Sequence, residues 1–452
     1  MSGGGTMAVR LADVRAAIDG VEGLTWTDQG VQVVDERGLR ARGAEALVRR
    51  VVFGTDPVMR QAAYRALRQA AGAVGIWSAS NDALYRARAR GEWSGRTVPA
   101  MNLRFLVFDS ARSAFRAAHR ARVGALVFEI ARSEMGYTEQ RPQEYGACVL
   151  GAALAEGHAG PVFLQGDHFQ VAAKKDRLSE IEALRGLIAE ALQAGFRNID
   201  IDASTIVDLS RPTAEEAQAE NASITATLCA EIRRRQGSGA PVSVGGEIGE
   251  VGKENSTERD LTAFMDGVEA ALAEMGGLDG LSKVSVQTGT SHGGVPLPDG
   301  TIAQVAVDFA VHERLSRVCR ETYGMGGTVQ HGASTLPEEM FHRFPAVGAV
   351  EIHLATGFQN LVLDSLRPQD RAHVDAWVRE RLGGERAAGD TEEQFLYKNR
   401  KRAAGPLKRW FWDLGEGERG RIGELLEGRF GDLFERLGVN DSVDLVARHV
   451  RP

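Results

Sequence analysis

The chain adopts a repeating pattern from residue 98, where it reads Val98-Pro99-Ala100-Met101-Asn102. This short apolar run is followed by an amphipathic stretch of helical length and then by a second run, Gly124-Ala125-Leu126-Val127-Phe128-Glu129. Strands that alternate with helices pair in parallel, because each helix carries the chain back across the sheet. The pattern therefore predicts an α/β fold with a parallel sheet.

The same alternation continues through the middle of the chain. The further apolar runs are 162–164, 198–202, 242–244, 283–286, 327–330 and 349–352. With the first two they make eight candidate strands, which is the number that closes a parallel sheet into a TIM (β/α)8 barrel. We expect this barrel to be the catalytic domain, over residues 97–366, with its chemistry at the carboxyl ends of the strands.

The two flanks of the barrel have a different character. Residues 1–96 are predicted to be an N-terminal helical extension, with arginine-rich helices over 56–71 and 81–90. Residues 367–452 are predicted to be a C-terminal helical arm. Its basic run at 398–402, near Trp410-Phe411-Trp412, raises the possibility of a nucleic-acid site, but acidic residues on both sides favour a solvated helical arm.

Composition limits the classes of partner. The 452 residues include 54 Lys and Arg against 61 Asp and Glu, so a net charge of -7 gives no general attraction to nucleic acid or to an anionic membrane. Cys148, Cys229 and Cys319 are scattered without metal-type spacing, as in a reducing compartment. With neither a signal-like N-terminus nor a membrane-spanning stretch, the sequence predicts a cytoplasmic protein.

Three histidines stand where strand-like runs end in turns of small residues. They are His168 in Phe163–His168, His292 in Gly289–Gly294, and His331 in Thr328–Ser334. A lone histidine in a strand is usually a hydrogen-bonded core residue, but three beside glycine turns match a catalytic zinc site with one open position. Other divalent transition metals also bind imidazole, so the residue types favour Zn²⁺ without fixing it.

The order of these motifs resembles that of the class II (metal-dependent) fructose-bisphosphate and tagatose-bisphosphate aldolases, from Val98 to the C-terminus. The Asp167-His168 pair is similar to the family's Asp-His pair. The remaining similar motifs follow in the family's order and are Ile201-Asp202-Ala203-Ser204, Gly246-Glu247-Ile248-Gly249, Gly289-Thr290-Ser291-His292-Gly293 and His331-Gly332-Ala333-Ser334.

The resemblance implies a zinc-dependent aldehyde-lyase. Such an enzyme reversibly cleaves a phosphorylated ketose through a metal-stabilised enediolate, giving dihydroxyacetone phosphate or a close analogue. It also implies a homodimer or larger homo-oligomer joined through the C-terminal helices, and it leaves room for a monovalent cation. No nucleic acid or membrane partner is expected.

The resemblance also assigns roles to residues. His168, His292 and His331 would bind the metal, with Glu247 beside it or as a further ligand, and Asp167 would be the catalytic acid/base or would only orient a ligand. The expected phosphate cradle comprises Gly293, Gly332, Ser334 and Thr356, and the expected supporting residues are Asn102, Asp202 and Ser204.

Three departures from the family pattern bear on the reaction. His353 stands where the family has an Asn, as a proton-transfer residue, a further ligand or a packing residue. Glu254, shifted by one position in the loop 252–256, is expected to move the ketone-side proton. Arg132 and Lys253 are expected to meet a second anion, because both side chains suit phosphate or carboxylate.

The missing Asn keeps two alternatives open. One is a metal-dependent hydrolase, isomerase or epimerase of a sugar phosphate on the same barrel. The other is a degenerate barrel that serves as a non-catalytic assembly subunit.

Overall fold

The computed structural model describes residues 9–249, 254–289 and 307–452, and it contains a closed barrel of parallel strands. The strands are β1 (Leu24–Thr27), β2 (Gly30–Val33), β3 (Ile76–Ser78), β4 (Val98–Asn102), β5 (Val127–Ala131), β6 (Gly160–Gln170), β7 (Asn198–Asp202), β8 (Ser243–Glu247), β9 (Lys283–Ser285), β10 (Thr328–Gln330) and β11 (Glu351–Leu354).

Strands β4 to β11 form the barrel. Each pairs in parallel with the next along the chain, and β11 closes the ring on β4, where His353 lies opposite Ala100. All eight predicted strands overlap observed ones, so the predicted TIM barrel is confirmed. Closure removes the exposed edges that an open sheet would leave.

Helices surround the barrel and build both flanks. They are α1 (Leu11–Ala17), α2 (Glu36–Gly38), α3 (Ala44–Phe53), α4 (Pro57–Ala73), α5 (Asp82–Ala89), α6 (Val107–Arg120), α7 (Arg132–Tyr137), α8 (Pro142–Ala155), α9 (Arg177–Gln193), α10 (Ala214–Arg235), α11 (Glu258–Glu274), α12 (Phe309–Glu321), α13 (Arg343–Val347), α14 (Thr356–Asp364), α15 (Pro368–Leu382), α16 (Glu392–Asn399), α17 (Lys408–Trp412), α18 (Glu416–Arg436) and α19 (Val443–His449).

The N-terminal flank is a helical extension, as the sequence predicts, and it also contains three short strands. Helix α4 begins as expected, because the Asp56 side chain accepts a hydrogen bond from the Val58 backbone N–H at 2.8 Å and Pro57 stands at the first helical position. The sequence did not indicate β1 and β2, which form an antiparallel hairpin, or β3, which pairs with the start of β6 outside the ring.

The C-terminal arm is helical, as predicted, and it packs on the barrel. Helix α18 lies against α6, and the buried Trp412 ring packs on Phe53 and Phe108. The aromatic cluster is therefore part of the hydrophobic core. No helix in the described ranges is long and apolar enough to cross a membrane.

A bulge in β6 sets the direction of one predicted metal ligand. The pairing of β6 with β7 shifts register between Gly166 and Phe169, and His168 takes a positive φ of 39°. Bulges next to active sites commonly redirect a side chain in this way. A Cβ at Gly166 would lie 2.5 Å from the Phe169 ring, so the bulge requires a glycine there.

We expect Gly166→Ala to lower the free energy of unfolding by about 1–3 kcal/mol, because the added methyl group must displace the Phe169 ring. Gly186→Ala is the matched control, since Gly186 is exposed within α9 and a Cβ there meets nothing within 4 Å. This control should be neutral or stabilising by up to about 1 kcal/mol. Urea unfolding of both variants measures the difference, and equal stabilities would contradict the role given to Gly166.

Candidate metal centre

A cavity of about 1230 Å³ opens at the carboxyl ends of the barrel strands. Side chains from the ends of β5, β6, β8, β10 and β11 line it, together with residues of the C-terminal arm. Catalytic sites of TIM barrels lie at this end. The cavity therefore brings together most of the residues that the sequence analysis selected.

His168, Glu247 and His331 converge at the floor of this cavity. One ligand atom from each lies within 4.8 Å of the others, and the two imidazole centroids are 4.1 Å apart. Two imidazoles and a carboxylate are ligands that zinc and similar divalent metals accept, so the donor set fits such an ion. His292, the third predicted imidazole ligand, lies outside the described residues.

Asp202 holds His168 in place. Its Oδ2 lies 3.0 Å from His168 Nδ1, and the Ser204 hydroxyl donates to Oδ1 at 2.6 Å. Burial alone would raise the pKa of Asp202, but hydrogen bonds from His168, Ser204 and Gln170 hold this pKa below its ordinary value. Carboxylates that orient a ligating imidazole are typical of metal sites, which agrees with the supporting roles expected of Asp202 and Ser204.

Asp167 and His353 form a second group beside the first. His353 Nδ1 lies 3.1 Å from Asp167 Oδ1 and 3.2 Å from Glu129 Oε2, and its ring centroid is 4.2 Å from that of His331. Burial disfavours the charged ring, but Glu129 and Asp167 outweigh it and raise the pKa of His353 well above its ordinary value. Asp167, His331 and His353 could also hold a metal together.

A buried charge network beneath these residues was missed by the sequence analysis. Lys283 Nζ lies 2.9 Å from Asp200 Oδ2, donates to Gln165 Oε1 at 2.7 Å and binds Glu351 Oε1. Glu351 Oε1 also lies 2.7 Å from His353 Nε2. The sequence could have indicated this network, because a lysine and several acids stand within the apolar runs that were predicted to be strands. In a barrel interior such charged side chains are tolerated only when they are paired.

The described residues of the predicted phosphate cradle lie at the ends of β10 and β11. Gly332 has a φ of 68°, and the Ser334 hydroxyl accepts a hydrogen bond from the Ala355 backbone N–H at 2.7 Å. Thr356 begins α14 and lines the same cavity. These loops are a common phosphate site in TIM barrels, and helix N-termini favour anions. Gly293 and Lys253 lie outside the described residues.

Three other predicted site residues, Arg132, Glu254 and Asn102, differ in their relation to the cavity. Arg132 Nη1 lies 2.6 Å from Glu180 Oε2, so its charge is matched inside the protein although it lines the cavity. Glu254 is exposed and is not among the described residues that line the cavity. Asn102 is buried, and its amide donates to Glu134, which also binds Arg104.

Comparison with known proteins agrees with this architecture. The family model described as fructose-bisphosphate aldolase class-II matches residues 84–415. No curated protein sequence gives a significant match.

Solved structures of low sequence identity are similar to this chain, and those with a TM-score above 0.5 share its fold. The fructuronate-tagaturonate epimerase UxaE from Cohnella laeviribosi is 11% identical, with 93% of this chain and 90% of that chain covered and a TM-score of 0.52. A probable tagatose 6 phosphate kinase from Sinorhizobium meliloti 1021 is 17% identical, with 78% and 99% covered and a TM-score of 0.52. The YdjI aldolase from Escherichia coli K12 is 13% identical, with 80% and 98% covered and a TM-score of 0.49.

We expect His168→Ala and His331→Ala each to abolish stoichiometric binding of a divalent metal, because each removes one imidazole from the cluster. His373→Ala is the matched control, since His373 is exposed on α15 and packs on Trp410. Elemental analysis of the purified proteins after dialysis measures the metal content. Retention of one metal per chain in both cluster variants would contradict the assignment.

Proposed function

The chain belongs to the class II fructose-bisphosphate aldolase family, and from this premise we propose that it is a zinc-dependent aldolase acting on a phosphorylated ketose. The reaction is a reversible aldol cleavage that gives dihydroxyacetone phosphate or a close analogue. The observation that carries this proposal is the convergence of His168, Glu247 and His331 in one cavity with Asp167.

The candidate ligands in this proposal are His168, His331 and Glu247, with His292 as the further imidazole. Zinc bound there would supply a Lewis acid that polarises the ketose carbonyl. Asp202 keeps the ring of His168 oriented through its contact with Nδ1. Glu247 Oε2 also lies 3.0 Å from His168 Nδ1, which places a carboxylate among the donors.

Asp167 is the proposed proton acceptor for cleavage. It takes the proton of the C4 hydroxyl as the bond between C3 and C4 breaks and the C4 oxygen becomes an aldehyde; in condensation it returns that proton. His353 holds the carboxylate at the cavity wall through the 3.1 Å contact between Nδ1 and Oδ1. Glu254 remains the proposed residue for the ketone-side proton.

The phosphate of the substrate is proposed to lie against Gly332, Ser334 and Thr356, with Gly293 completing the cradle. Small residues let an anion approach the backbone N–H groups, and the N-terminus of α14 adds a favourable dipole. Lys253 remains a proposed contact for a second anion.

The wider setting of the enzyme is also proposed. The division into an N-terminal region (1–96), a catalytic barrel (97–366) and a C-terminal arm (367–452) follows the change in sequence pattern. We propose a cytoplasmic homodimer or larger homo-oligomer that uses the arm for assembly, with a monovalent cation as a further candidate cofactor.

A second candidate function is epimerisation of a ketose on the same barrel. It is favoured by His353, a buried imidazole that replaces the family's Asn and lies beside Asp167, so that two proton-carrying groups adjoin one another. The structural neighbour UxaE, which aligns with 93% of this chain, is described as an epimerase.

Product analysis separates the two candidates. The metal-loaded protein is incubated with a panel of phosphorylated ketoses, and triose phosphate release and epimer formation are both measured. Triose phosphate supports the aldolase, whereas an epimer without triose phosphate replaces it with the second candidate. Absence of turnover by a metal-loaded protein on the whole panel would contradict both.

We expect Asp167→Asn to lower kcat for cleavage by about 10²–10⁴-fold with the metal retained, because the amide cannot accept the hydroxyl proton. Asp202→Asn is the matched comparison: it should lower metal affinity by about 10–100-fold, because it loosens His168. Steady-state kinetics at saturating metal and metal titrations distinguish the two. An Asp167→Asn variant with parental kcat would overturn the role of Asp167.

A further inference from the structure

Helix α12 contacts one face of β10 through polar side chains. Thr328 and Gln330 stand two positions apart on this strand, so their side chains point to the same face. His312 on α12 lies against both, with Nδ1 2.8 Å from Thr328 Oγ1 and Nε2 2.6 Å from Gln330 Oε1. Helices usually pack on a sheet through an apolar stripe, so this polar contact sets α12 and β10 apart from an ordinary helix–sheet pair.

Both nitrogens of the buried His312 ring have partners. The carbonyl Oε1 of Gln330 can only accept, so Nε2 of His312 carries the hydrogen and Nδ1 accepts one from the Thr328 hydroxyl. Burial lowers the pKa of His312 to about 4, which agrees with a neutral ring. Ser316, one turn further along α12, lies 2.6 Å from Thr328 Oγ1 through its own Oγ, which also accepts the Thr328 backbone N–H at 3.2 Å. A satisfied buried network of this kind favours a single arrangement of the helix and the strand.

Gln330 connects this network to a candidate metal ligand. His331 follows it directly in the chain, and the Gln330 amide donates to the backbone carbonyl of His331. The Thr288 hydroxyl, just beyond β9, donates to Gln330 Oε1 at 2.7 Å. The side chain that binds the backbone of His331 is therefore itself held from α12 and from the segment after β9.

The imidazole of His331 lies in crowded surroundings. Its Nε2 is 2.7 Å from Ser285 Oγ at the end of β9, and its centroid is 4.1 Å from that of His168 and 4.2 Å from that of His353. A ligand nitrogen must lie within about 0.2 Å of its ideal distance from a metal. Small shifts of β10 would therefore be sufficient to weaken the bond from His331 to a metal ion.

We propose that His312 is a positioning residue of the metal centre, which fixes the end of β10 and thereby directs His331 toward the metal. It acts through its hydrogen bonds with Thr328 and Gln330. This inference rests on the proposed function, because it takes His331 as a metal ligand. His312 acts from outside the site, since it is not among the described residues that line the cavity.

Metal affinity separates positioning from general support of the fold. Competition with a chromophoric chelator measures Kd for Zn²⁺ in the parent chain and its variants, and urea unfolding of the metal-free proteins measures their stability. His312→Phe keeps a ring beside Phe344, whose centroid is 5.7 Å away, but removes both hydrogen bonds. We expect it to weaken Zn²⁺ binding by about ten- to thirtyfold, within the range for residues that support a metal ligand.

A second variant removes one of these hydrogen bonds with little change of shape. Thr328→Val keeps the branched side chain but loses the hydroxyl that His312 and Ser316 contact. We expect it to weaken Zn²⁺ binding by about three- to tenfold, because one buried hydrogen bond is lost and its partners are left unpaired. This variant decides the question if His312→Phe does not fold.

His158→Phe is the matched control. The His158 ring packs on Phe115, with centroids 4.9 Å apart, and its Nε2 lies 3.3 Å from Pro161 O near the start of β6. The cavity lining, as far as the structure describes it, does not include His158. This control should lose stability while its Kd for Zn²⁺ changes less than twofold.

The visible absorption of bound Co²⁺ gives an independent measure of ligand geometry. We expect the spectrum to change in His312→Phe and Thr328→Val but not in His158→Phe. Parental Zn²⁺ affinity in His312→Phe, or in Thr328→Val where the first variant does not fold, would overturn the role of His312 and leave the proposed metal centre intact. An equal loss in His158→Phe would do the same, whereas a parent chain that binds no divalent metal would overturn the metal centre itself.

Discussion

The arrangement of the site depends on a buried ammonium group. Lys283 is fully buried, and it joins three barrel strands through Asp200 on β7, Glu351 on β11 and its own position on β9. Isolated charges at such depth cost several kcal/mol each, whereas paired ones are tolerated. Removing the Lys283 side chain would leave the buried carboxylates of Asp200 and Glu351 without a compensating charge. The acidic residues around His353 therefore depend on this lysine.

The network gives similar carboxyl groups different protonation behaviour. Burial and the charge of Asp167 raise the pKa of Glu129 well above its ordinary value. Burial acts on Glu351 in the same direction, but Lys283 and His353 outweigh it and lower its pKa. Glu351 and Glu129, which both lie within 3.2 Å of the His353 ring, therefore differ in how readily they lose a proton. Environments that separate pKa values in this way are characteristic of catalytic sites.

The sequence predicted the parts of the molecule that depend on local pattern. Eight apolar runs, separated by segments long enough to form helices, were sufficient to predict the barrel. His168 and His331 were selected as candidate metal ligands because each stands near a glycine at the end of such a run. The hairpin of β1 and β2 was missed because its strands are short and the turn between Thr27 and Gly30 begins with Asp-Gln, which is not a typical hairpin turn. The ion pair between Arg132 and Glu180 could not be predicted, because these residues are 48 positions apart and no periodic pattern in the sequence indicates such a long-range contact.

An imidazole at position 353, where the resemblance leads one to expect an Asn, is explained by its neighbours. Glu129, Asp167 and Glu351 all place an oxygen within 3.2 Å of a nitrogen of this ring, and only a group that can carry a positive charge offsets so many acids at this depth. A neutral amide would donate two hydrogen bonds but balance no charge. His353 and the acids around it therefore form one unit, in which the imidazole is the link between the buried lysine network and Asp167 at the cavity surface.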